Sequence, residues 1–258
     1  MTTAHLPQIV MITGATGGFG QAFARRFAAV GCKLVLTSRK PEELAALARD
    51  LGVPVHPIIL DIRDRKAIEQ AFANLPPEFQ ALDLLINNAG LALGLEPAHQ
   101  ANLDDWECMI DANNKGLVIC TRLALPGMVA RKRGHIINIG SIAGSYTYPG
   151  SHVYCATKAF VKQFSLALRA DLLGTNVRMT SIEPGMVETP FSLNRFKGDA
   201  ARAASVYAGA NPLTAEDVAE SIFWAATLPP HVNINRIELM PTTQATAPLA
   251  VHRIAAAS

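Results

Sequence analysis

Short apolar runs alternate with longer amphipathic stretches along almost the whole chain, and this alternation limits the possible folds. Strand and helix in such alternation predict a parallel sheet that helices cover on both faces. We therefore expect one doubly wound α/β domain with a seven-stranded parallel sheet, spanning residues 1–258. The predicted strands are 9–13, 33–37, 55–60, 82–87, 135–140, 177–182 and 237–240. The predicted helices lie near 18–30, 41–51, 64–75, 103–130, 152–173 and 214–228.

Local signals mark several of these helix boundaries. Pro41 suits the first turn of a helix, where its missing N–H costs nothing. Thr214, followed three residues later by Asp217, has the pattern of a capping box. Gly174 suits the end of the helix near 152–173, because glycine readily adopts the left-handed conformation found there.

Two stretches fall outside the alternation. The stretch 198–212 is small and polar enough to be a mobile loop or a lid helix, and we expect a substrate lid at about 190–212. The last residues, 241–258, are expected either to be loose or to dock on a neighbouring subunit.

The composition argues against several classes of function. A net charge of +2, from 23 basic and 21 acidic residues, gives no electrostatic case for binding nucleic acid. No run of 18 apolar residues and no signal-like N-terminus is visible, so we expect no membrane association and a cytoplasmic location. The four cysteines lack a C-x-x-C pair and the seven histidines an H-x-x-x-H pair, so we expect reduced thiols and no metal site.

A glycine-rich run, TGATGGFG at 13–20, joins the first predicted strand to the first predicted helix. Glycines there permit a tight turn and close approach of the backbone to a pyrophosphate, which the helix N-terminus then faces. This position favours a dinucleotide site over an ordinary turn. The spacing alone is ambiguous, since Gly14 and Gly20 fit one pattern with Gly18 and another with Gly17.

A tyrosine and a lysine stand one helical turn apart in the predicted helix 152–173. Tyr154 and Lys158 project from the same face, and a nearby ammonium is expected to lower the pKa of the phenol. A lowered pKa suits proton exchange with an alcohol or carbonyl oxygen, to which the Ser141 hydroxyl could also hydrogen-bond. Taken alone, the pair could equally be an exposed helical pair.

The end of the second strand indicates which dinucleotide binds. NAD sites usually place an acidic residue here to hold the ribose 2′-hydroxyl, but the sequence TSRK at 37–40 has none before Glu42. Arg39 has the planar fork that matches a 2′-phosphate, although a solvated basic residue is the alternative. We therefore predict NADP as the cofactor.

Together these motifs resemble the classical branch of the short-chain dehydrogenase/reductase family, over nearly the whole length. Further matching motifs are NNAG at 87–90, NNKG at 113–116 and Pro-Gly at 184–185 with Thr189 following. The resemblance selects the glycine spacing with Gly18 and implies a Rossmann domain that transfers hydride to and from the cofactor. Relatives of this kind are usually tetramers, so we expect a homotetramer with the helices near 103–130 and 152–173 at one interface.

The resemblance also implies a role for each catalytic residue. Tyr154 would be the general acid/base, and Ser141 would orient the substrate oxygen. Lys158 would lower the tyrosine pKa and hold the nicotinamide ribose. Asn113 would keep a helix open for a proton-relay water; the family's spacing to the next glycine selects it over Asn114, and an ordinary mid-helix polar residue is the alternative.

The implied cofactor contacts run the length of a dinucleotide. Asp61 would cap the adenine, unless it is only the N-cap of the helix near 64–75. Asn87, Ala89 and Gly90 would line the adenosine side, and the segment from Pro184 would wall the nicotinamide. The predicted cofactor-binding set is Gly14, Thr16, Gly18, Phe19, Gly20, Arg39, Asp61, Ile62, Asn87, Ala89, Gly90, Tyr154, Lys158, Pro184, Gly185, Val187 and Thr189.

A narrower resemblance, at 88–120, 195–199 and 231–235, is to NADP-dependent 3-hydroxy acid dehydrogenases of bacteria and yeast. Those enzymes oxidise L-allo-threonine, L-serine and related short 3-hydroxy acids. Glu183 could receive the substrate ammonium or be a buried structural residue. Arg195 could hold the substrate carboxylate from the lid, or be a surface residue or subunit contact.

Two rival functions stay open at this point. One is reduction of another small ketone or aldehyde with the same cofactor, because variable loops determine the substrate. The other is a non-catalytic dinucleotide sensor that binds a protein partner. The intact set of Ser141, Tyr154 and Lys158 argues against a sensor, which has no need for them.

Overall fold

The structure is a computed structural model that describes residues 5–245 of the chain. Its seven strands form one sheet in the order β3-β2-β1-β4-β5-β6-β7, and every neighbouring pair is parallel. The predicted fold class is confirmed. The strands are β1 (Ile9–Ile12), β2 (Lys33–Ser38), β3 (Val55–Ile59), β4 (Leu84–Asn87), β5 (Gly134–Ile139), β6 (Val177–Pro184) and β7 (Arg236–Leu239).

The strand order reverses between β1 and β4. The chain runs outward from β1 to β3 and then returns to pair β4 with β1. The loops that follow these two strands therefore diverge to opposite sides of the sheet and leave a crevice at their carboxyl ends. Such a crevice is where ligands bind in doubly wound folds.

Helices cover both faces of the sheet. Residues alternate along each strand, so Val10 and Ile12 of β1 enter one core and Ile9 and Met11 the other. The helices are α1 (Gly18–Ala28), α2 (Pro41–Asp50), α3 (Arg65–Ala73), α4 (Leu103–Ile110), α5 (Gly116–Ala130), α6 (His152–Asp171), α7 (Phe191–Arg195), α8 (Ala200–Ser205) and α9 (Ala215–Thr227). No helix among the described residues is long and apolar enough to cross a membrane.

The predicted helix ends are close to the observed ones. Pro41 is the first residue of α2, and the Thr214–Asp217 capping box is present at the start of α9. Helix α6 ends at Asp171, and Gly174 adopts a positive φ of 81° in the turn that follows.

One predicted helix is interrupted. The stretch 103–130 forms α4 and α5 with a π-helical segment, Asp111–Lys115, between them. A π segment adds a residue to the turn without ending the helix, so the apolar pattern of the sequence continues through it. The predicted lid at about 190–212 contains the short helices α7 and α8. Of the tail 241–258, residues 246–258 lie outside the described part.

Candidate active site

The glycine turn after β1 is crowded at three of its four glycines. A Cβ on Gly20 would lie 2.4 Å from the Gly14 carbonyl oxygen, and one on Gly18 would lie 3.0 Å from Cβ of Thr189. Gly14 itself has a φ of +66°. At Gly17 the nearest atom would be 3.4 Å away, an ordinary contact. The geometry therefore agrees with the glycine pattern that contains Gly18 and not with the one that contains Gly17.

The turn leads into a helix end that suits a phosphate. Helix α1 begins at Gly18, and no side chain caps that end. Its first N–H groups thus have no side-chain partner, and the positive end of the helix dipole faces the crevice between β1 and β4. Phe19, the next residue, packs against the core of this face and stacks on Phe23 with ring centres 5.8 Å apart.

The segment after β4 is tied to the glycine turn by a residue outside the predicted set. The side-chain amide of Asn88 donates to the carbonyl oxygens of Thr13 (2.8 Å) and Gly14 (3.1 Å). The backbone N–H of Asn88 and that of Ala89 both donate to the Thr13 hydroxyl, at 3.0 and 2.9 Å. These bonds fix the two walls of the crevice relative to each other.

The neighbouring Asn87 points elsewhere. Its side-chain amide donates to the Thr121 hydroxyl and to Oδ1 of Asn138, both at 2.9 Å, and the residue is buried. The side chain therefore joins β4 to β5 and α5 in the core. Its predicted place on the adenosine side stays a prediction.

Polar groups gather at the carboxyl end of β2, where a 2′-phosphate is predicted. The hydroxyls of Thr16 and Ser38 lie 2.7 Å apart, and Ser38 also accepts from the backbone N–H of Lys40 at 3.1 Å. The Arg39 side chain is 57% exposed, and its Nη1 lies 3.9 Å from Oδ2 of Asp61. This corner offers an exposed cation and two hydroxyls, which fit a phosphate.

Asp61 binds an arginine that the sequence analysis did not single out. Arg63 donates to its carboxylate from Nη2 (2.6 Å) and Nε (3.0 Å), and this contact lowers the pKa of Asp61. The N-cap of α3 is Asp64, whose carboxylate accepts from the Ala67 N–H at 3.1 Å. The alternative reading of Asp61 as that N-cap is therefore wrong. The backbone oxygen of the adjacent Ile62 borders α5 where Gly116 leaves room for it.

The structure brings the predicted catalytic residues together. Ser141 follows β5 and caps a short turn, where its hydroxyl accepts from the Ala143 N–H at 3.1 Å. Tyr154 and Lys158 lie one turn apart on α6 and are both buried. The Lys158 ammonium donates to the carbonyl oxygen of Ile139, the last residue of β5, at 2.8 Å.

Burial, more than the neighbouring ammonium, determines the ionisation of this pair. Burial raises the pKa of Tyr154, an effect that the Ser141 hydroxyl and the Arg195 cation only partly oppose. Burial also lowers the pKa of Lys158 to about 8. The expected fall in the pKa of Tyr154 is therefore contradicted for the protein without its cofactor, where burial raises this pKa. The ammonium points at the Ile139 carbonyl, and desolvation of both groups disfavours their charged forms.

Asn113 lies in the π-helical segment and connects three elements. Its side chain accepts from the Leu91 N–H (2.8 Å) and donates to the Leu91 carbonyl (2.9 Å) and the Thr157 hydroxyl (3.0 Å). Asn114 makes one bond, to the Thr157 carbonyl at 2.9 Å. Asn113 therefore joins the π-helical segment to α6 and to the segment that follows Gly90. A Cβ on Gly90 would lie 2.9 Å from Oδ1 of Asn113.

The segment after β6 lies beside the glycine turn, as the resemblance implies for a nicotinamide wall. The Gly185 N–H donates to the Leu239 carbonyl at 2.8 Å, and a Cβ there would lie 2.3 Å from Oε1 of Gln244. Val187 pairs with Leu213 in an isolated parallel bridge, and Thr189 contacts Gly18. Pro184, the last residue of β6, starts this segment at the carboxyl end of the strand.

The predicted lid places a cation at Tyr154, the predicted acid/base. The guanidinium carbon of Arg195 lies 5.3 Å from the ring centre of Tyr154, and its Nη2 donates to the Tyr148 hydroxyl at 2.7 Å. Its backbone carbonyl accepts from the Gly94 N–H at 3.1 Å. Phe191, also in α7, lies 5.9 Å from the Tyr154 ring. Arg195 is thus part of this cluster and not a remote surface residue.

Glu183 has a structural partner instead. Its buried carboxylate forms an ion pair with Nε of Arg236 at 2.7 Å and accepts from the Ser181 hydroxyl at 3.1 Å. These contacts join β6 to β7. The structural alternative thus has contacts in its favour, and a role toward a substrate ammonium stays a prediction without a supporting contact.

Comparison with known proteins agrees with this geometry. A family model described as short chain dehydrogenase matches residues 8–200. The chain belongs to the short chain dehydrogenase family.

Its similarity to individual short chain dehydrogenases extends over nearly the whole chain. NADP-dependent 3-hydroxy acid dehydrogenase YdfG of Salmonella typhi is 58% identical over 246 residues, covering 95% of this chain and 99% of that protein. Sulfoacetaldehyde reductase 2 of Chromohalobacter salexigens is 53% identical over 251 residues, covering 96% and 100%. The closed form of serine dehydrogenase complexed with NADP+ is a solved structure with 57% identity and a TM-score of 0.93, covering 95% and 99%.

Sequence reasoning missed four residues of this short chain dehydrogenase site: Asn88, Arg63, Tyr148 and Phe191. Asn88 stands inside the NNAG motif, so its position was visible although its contacts were not. Arg63 follows Asp61 by two residues, a spacing that lets an arginine fold back onto a carboxylate. Tyr148 and Phe191 carried no signal, because only the folded chain places them beside Tyr154 and Arg195.

Proposed function

We propose that this chain is an NADP-dependent dehydrogenase that reversibly oxidises the 3-hydroxyl of short 3-hydroxy acids, with L-allo-threonine and L-serine as substrates. The observation that carries the proposal is the Arg195 guanidinium, 5.3 Å from the ring of the predicted acid/base Tyr154. A cation there can bind a substrate carboxylate while the hydroxyl reaches the phenol. The similarity to a 3-hydroxy acid dehydrogenase and a serine dehydrogenase supports this substrate class.

The side chains of the site supply a path for the proton. In oxidation, Tyr154 accepts the proton of the substrate hydroxyl, which requires the phenolate form. Ser141 hydrogen-bonds the same oxygen and holds it near the phenol. Lys158, held by the Ile139 carbonyl, is the next proton carrier, and Asn113 keeps the π-helical turn open for a relay water. Bound NADP would accept the hydride from the carbinol carbon.

The site residues fit this dinucleotide. The crowded glycines bring the backbone close enough for a pyrophosphate to reach the free end of α1. Arg39, Ser38 and Thr16 form a cationic and hydroxyl-rich corner where a 2′-phosphate would lie. These contacts, together with a related structure that contains NADP+, support the choice of NADP over NAD.

We also propose a homotetramer in the cytoplasm. Helices α4 and α6 expose large apolar side chains, among them Ile110 at 48% and Phe160 at 44%, which association would bury. The four cysteines are free thiols, as expected in a reducing compartment. Sedimentation of the purified protein tests the tetramer, and cell fractionation tests the location.

A second candidate is the reduction of sulfoacetaldehyde, because a 53% identical relative carries that name. Sulfoacetaldehyde and 2-aminomalonate semialdehyde, the product of L-serine oxidation, both carry an anionic group one carbon away from the aldehyde. The same arginine could therefore bind either anion, and the two activities differ in which anion fits better. A non-catalytic sensor is disfavoured, because the structure gathers Ser141, Tyr154 and Lys158 in one site.

A substrate panel separates these functions. Absorbance of reduced nicotinamide is followed with NADP or NAD, using L-allo-threonine, L-serine and 2-butanol for oxidation and sulfoacetaldehyde for reduction. We expect kcat/KM for L-allo-threonine to exceed that for 2-butanol by about a hundredfold or more, since a lost partner of a buried charge costs roughly 3–5 kcal/mol. Equal values would contradict the proposal. Turnover of sulfoacetaldehyde alone would establish the second candidate, and no turnover at all would leave the sensor.

A further inference from the structure

The Arg195 cation is held between two tyrosines. Its guanidinium carbon lies 5.4 Å from the ring centre of Tyr148 and 5.3 Å from that of Tyr154. The hydrogen bond from Nη2 to the Tyr148 hydroxyl is 2.7 Å long and fixes the direction of the planar group. A phenol outside the predicted catalytic set therefore determines where the cation sits.

Tyr148 lies in a hydrogen-bonded turn that precedes α6. The Ser151 N–H donates to the Tyr148 carbonyl at 3.2 Å, and the Tyr148 N–H donates to the Ser151 hydroxyl at 3.3 Å. Gly150 in this turn has a φ of +77°, and a Cβ there would lie 2.2 Å from the Leu95 carbonyl oxygen. Tyr148 is thus tied by hydrogen bonds to Ser151, the N-cap of the helix that carries Tyr154.

Arg195 belongs to the lid and has an unused donor. Within the part of the chain that the structure describes, its Nε is buried and has no hydrogen-bond partner. A buried N–H without a partner is unfavourable, so this edge of the guanidinium favours an acceptor such as a carboxylate oxygen. The bond to Tyr148 uses Nη2 and leaves the Nε–H without an acceptor.

We propose that Tyr148 is a positioning residue for substrate specificity, which holds the guanidinium of Arg195 beside Tyr154 so that it binds the carboxylate of the substrate. This inference rests on the proposed function, because it names how the carboxylate partner is placed. Tyr148 acts through Arg195 and not on the reacting atoms. Its loss is therefore expected to affect the KM of anionic substrates much more than kcat.

The first test compares Tyr148→Phe with wild type on charged and uncharged substrates. The variant keeps the ring under the cation and removes only the hydroxyl. We expect KM for L-allo-threonine to rise about tenfold, as for a lost hydrogen bond to a charged group, while kcat and the turnover of 2-butanol change by a much smaller factor. Tyr146→Phe is the matched control, since its hydroxyl binds Glu238 at 3.1 Å, away from the cluster, and should leave KM unchanged.

Several outcomes of this test would overturn the inference. An unchanged KM in Tyr148→Phe would do so, and so would an equal rise for charged and uncharged substrates, which indicates a general disturbance. In an Arg195→Ala background the tyrosine substitution should have no further effect. A full additional rise there would show that Tyr148 acts independently of the arginine.

A binding measurement separates the inference from the proposed function. Propionate has the carboxylate but no hydroxyl, so calorimetry with the NADP-bound enzyme measures the anion site without turnover. We expect Tyr148→Phe to weaken propionate binding about tenfold. If wild type binds propionate and the variant does not, the inference stands even if 3-hydroxy acids are not oxidised. If wild type oxidises 3-hydroxy acids and both proteins bind propionate equally, or if neither binds it, Tyr148 has no such role.

Discussion

Tyr154 is the residue on which the proposed chemistry depends, and Phe in its place removes the hydroxyl while keeping the ring against Phe191. We expect Tyr154→Phe to lose more than about a hundredfold in kcat, the low end for general acid–base catalysis. Folding and dinucleotide binding should persist, which circular dichroism and quenching of protein fluorescence by NADP can check. Retention of most activity at saturating NADP would show that another group exchanges the proton.

The same residue gives a pH prediction with a definite sign. Oxidation requires the phenolate, so kcat/KM should rise with pH through the pKa of Tyr154. Arg195 opposes the rise that burial causes in this pKa. Arg195→Ala should therefore raise the pKa and move the oxidation profile toward alkaline pH, measured with 2-butanol to avoid the loss of carboxylate binding. A profile that does not move, or moves to lower pH, would contradict the placement of this cation.

The residue scale also shows what sequence patterns can and cannot predict about a site. Ser141, Tyr154 and Lys158 were selected by their spacing together with the family resemblance, and the structure gathers them. The direction of the tyrosine pKa was wrong, because spacing shows proximity but not burial or where the ammonium points. The contacts of Arg195 and Glu183 come from residues 47 and 53 positions away, and no local pattern encodes such partners.

At the scale of elements, the glycine turn before α1 shows how the spacing of glycines affects the stability of the fold. A Cβ on Gly20 would meet the Gly14 oxygen at 2.4 Å, whereas one on Gly17 would meet it at 3.4 Å. We expect Gly20→Ala to lower the free energy of unfolding by about 1–3 kcal/mol through overpacking and to weaken NADP binding. Gly17→Ala, the matched control, should cost a few tenths to about 1 kcal/mol, as a poorer N-cap does. Urea unfolding measures the free energy of unfolding of both variants. An equal loss in the two would contradict the assigned glycine pattern.

The boundaries of most helices and strands were predicted within a few residues, because the periodicity of apolar residues and the capping patterns are properties of the local sequence. The interruption at Asp111–Lys115 was not, since a π segment shifts the helix by one residue and preserves its apolar character. Asn113 was nevertheless selected by its spacing to a glycine, and its three bonds to Leu91 and Thr157 show why this position differs from Asn114.

For the molecule as a whole, the class of fold followed from alternation of strands and helices, but the strand order did not. The order places β1 beside β4 and so creates the crevice in which the glycine turn, the NNAG segment and the lid converge. Only this convergence makes a site of motifs that are far apart in sequence. The glycine turn, the NNAG segment and the lid belong to different strand-to-strand connections. A ligand that contacts all three should therefore stabilise the entire domain.

This linkage gives a whole-molecule prediction that does not depend on turnover. A ligand that binds only the folded chain stabilises it by about 2.7 kcal/mol at a hundredfold excess over its Kd. NADP should therefore raise the melting temperature more than an equal concentration of NAD. Arg39→Asp removes a phosphate partner and adds repulsion, so the upshift by NADP should shrink by roughly 3–5 °C for each tenfold loss of affinity. Lys40→Asp makes the same charge change at the next residue, whose ammonium pairs with Glu43, and should retain the upshift. If both variants lose the NADP-induced rise in melting temperature equally, the effect of Arg39 is one of general charge and not of a specific contact. If neither variant loses it, the 2′-phosphate binds elsewhere.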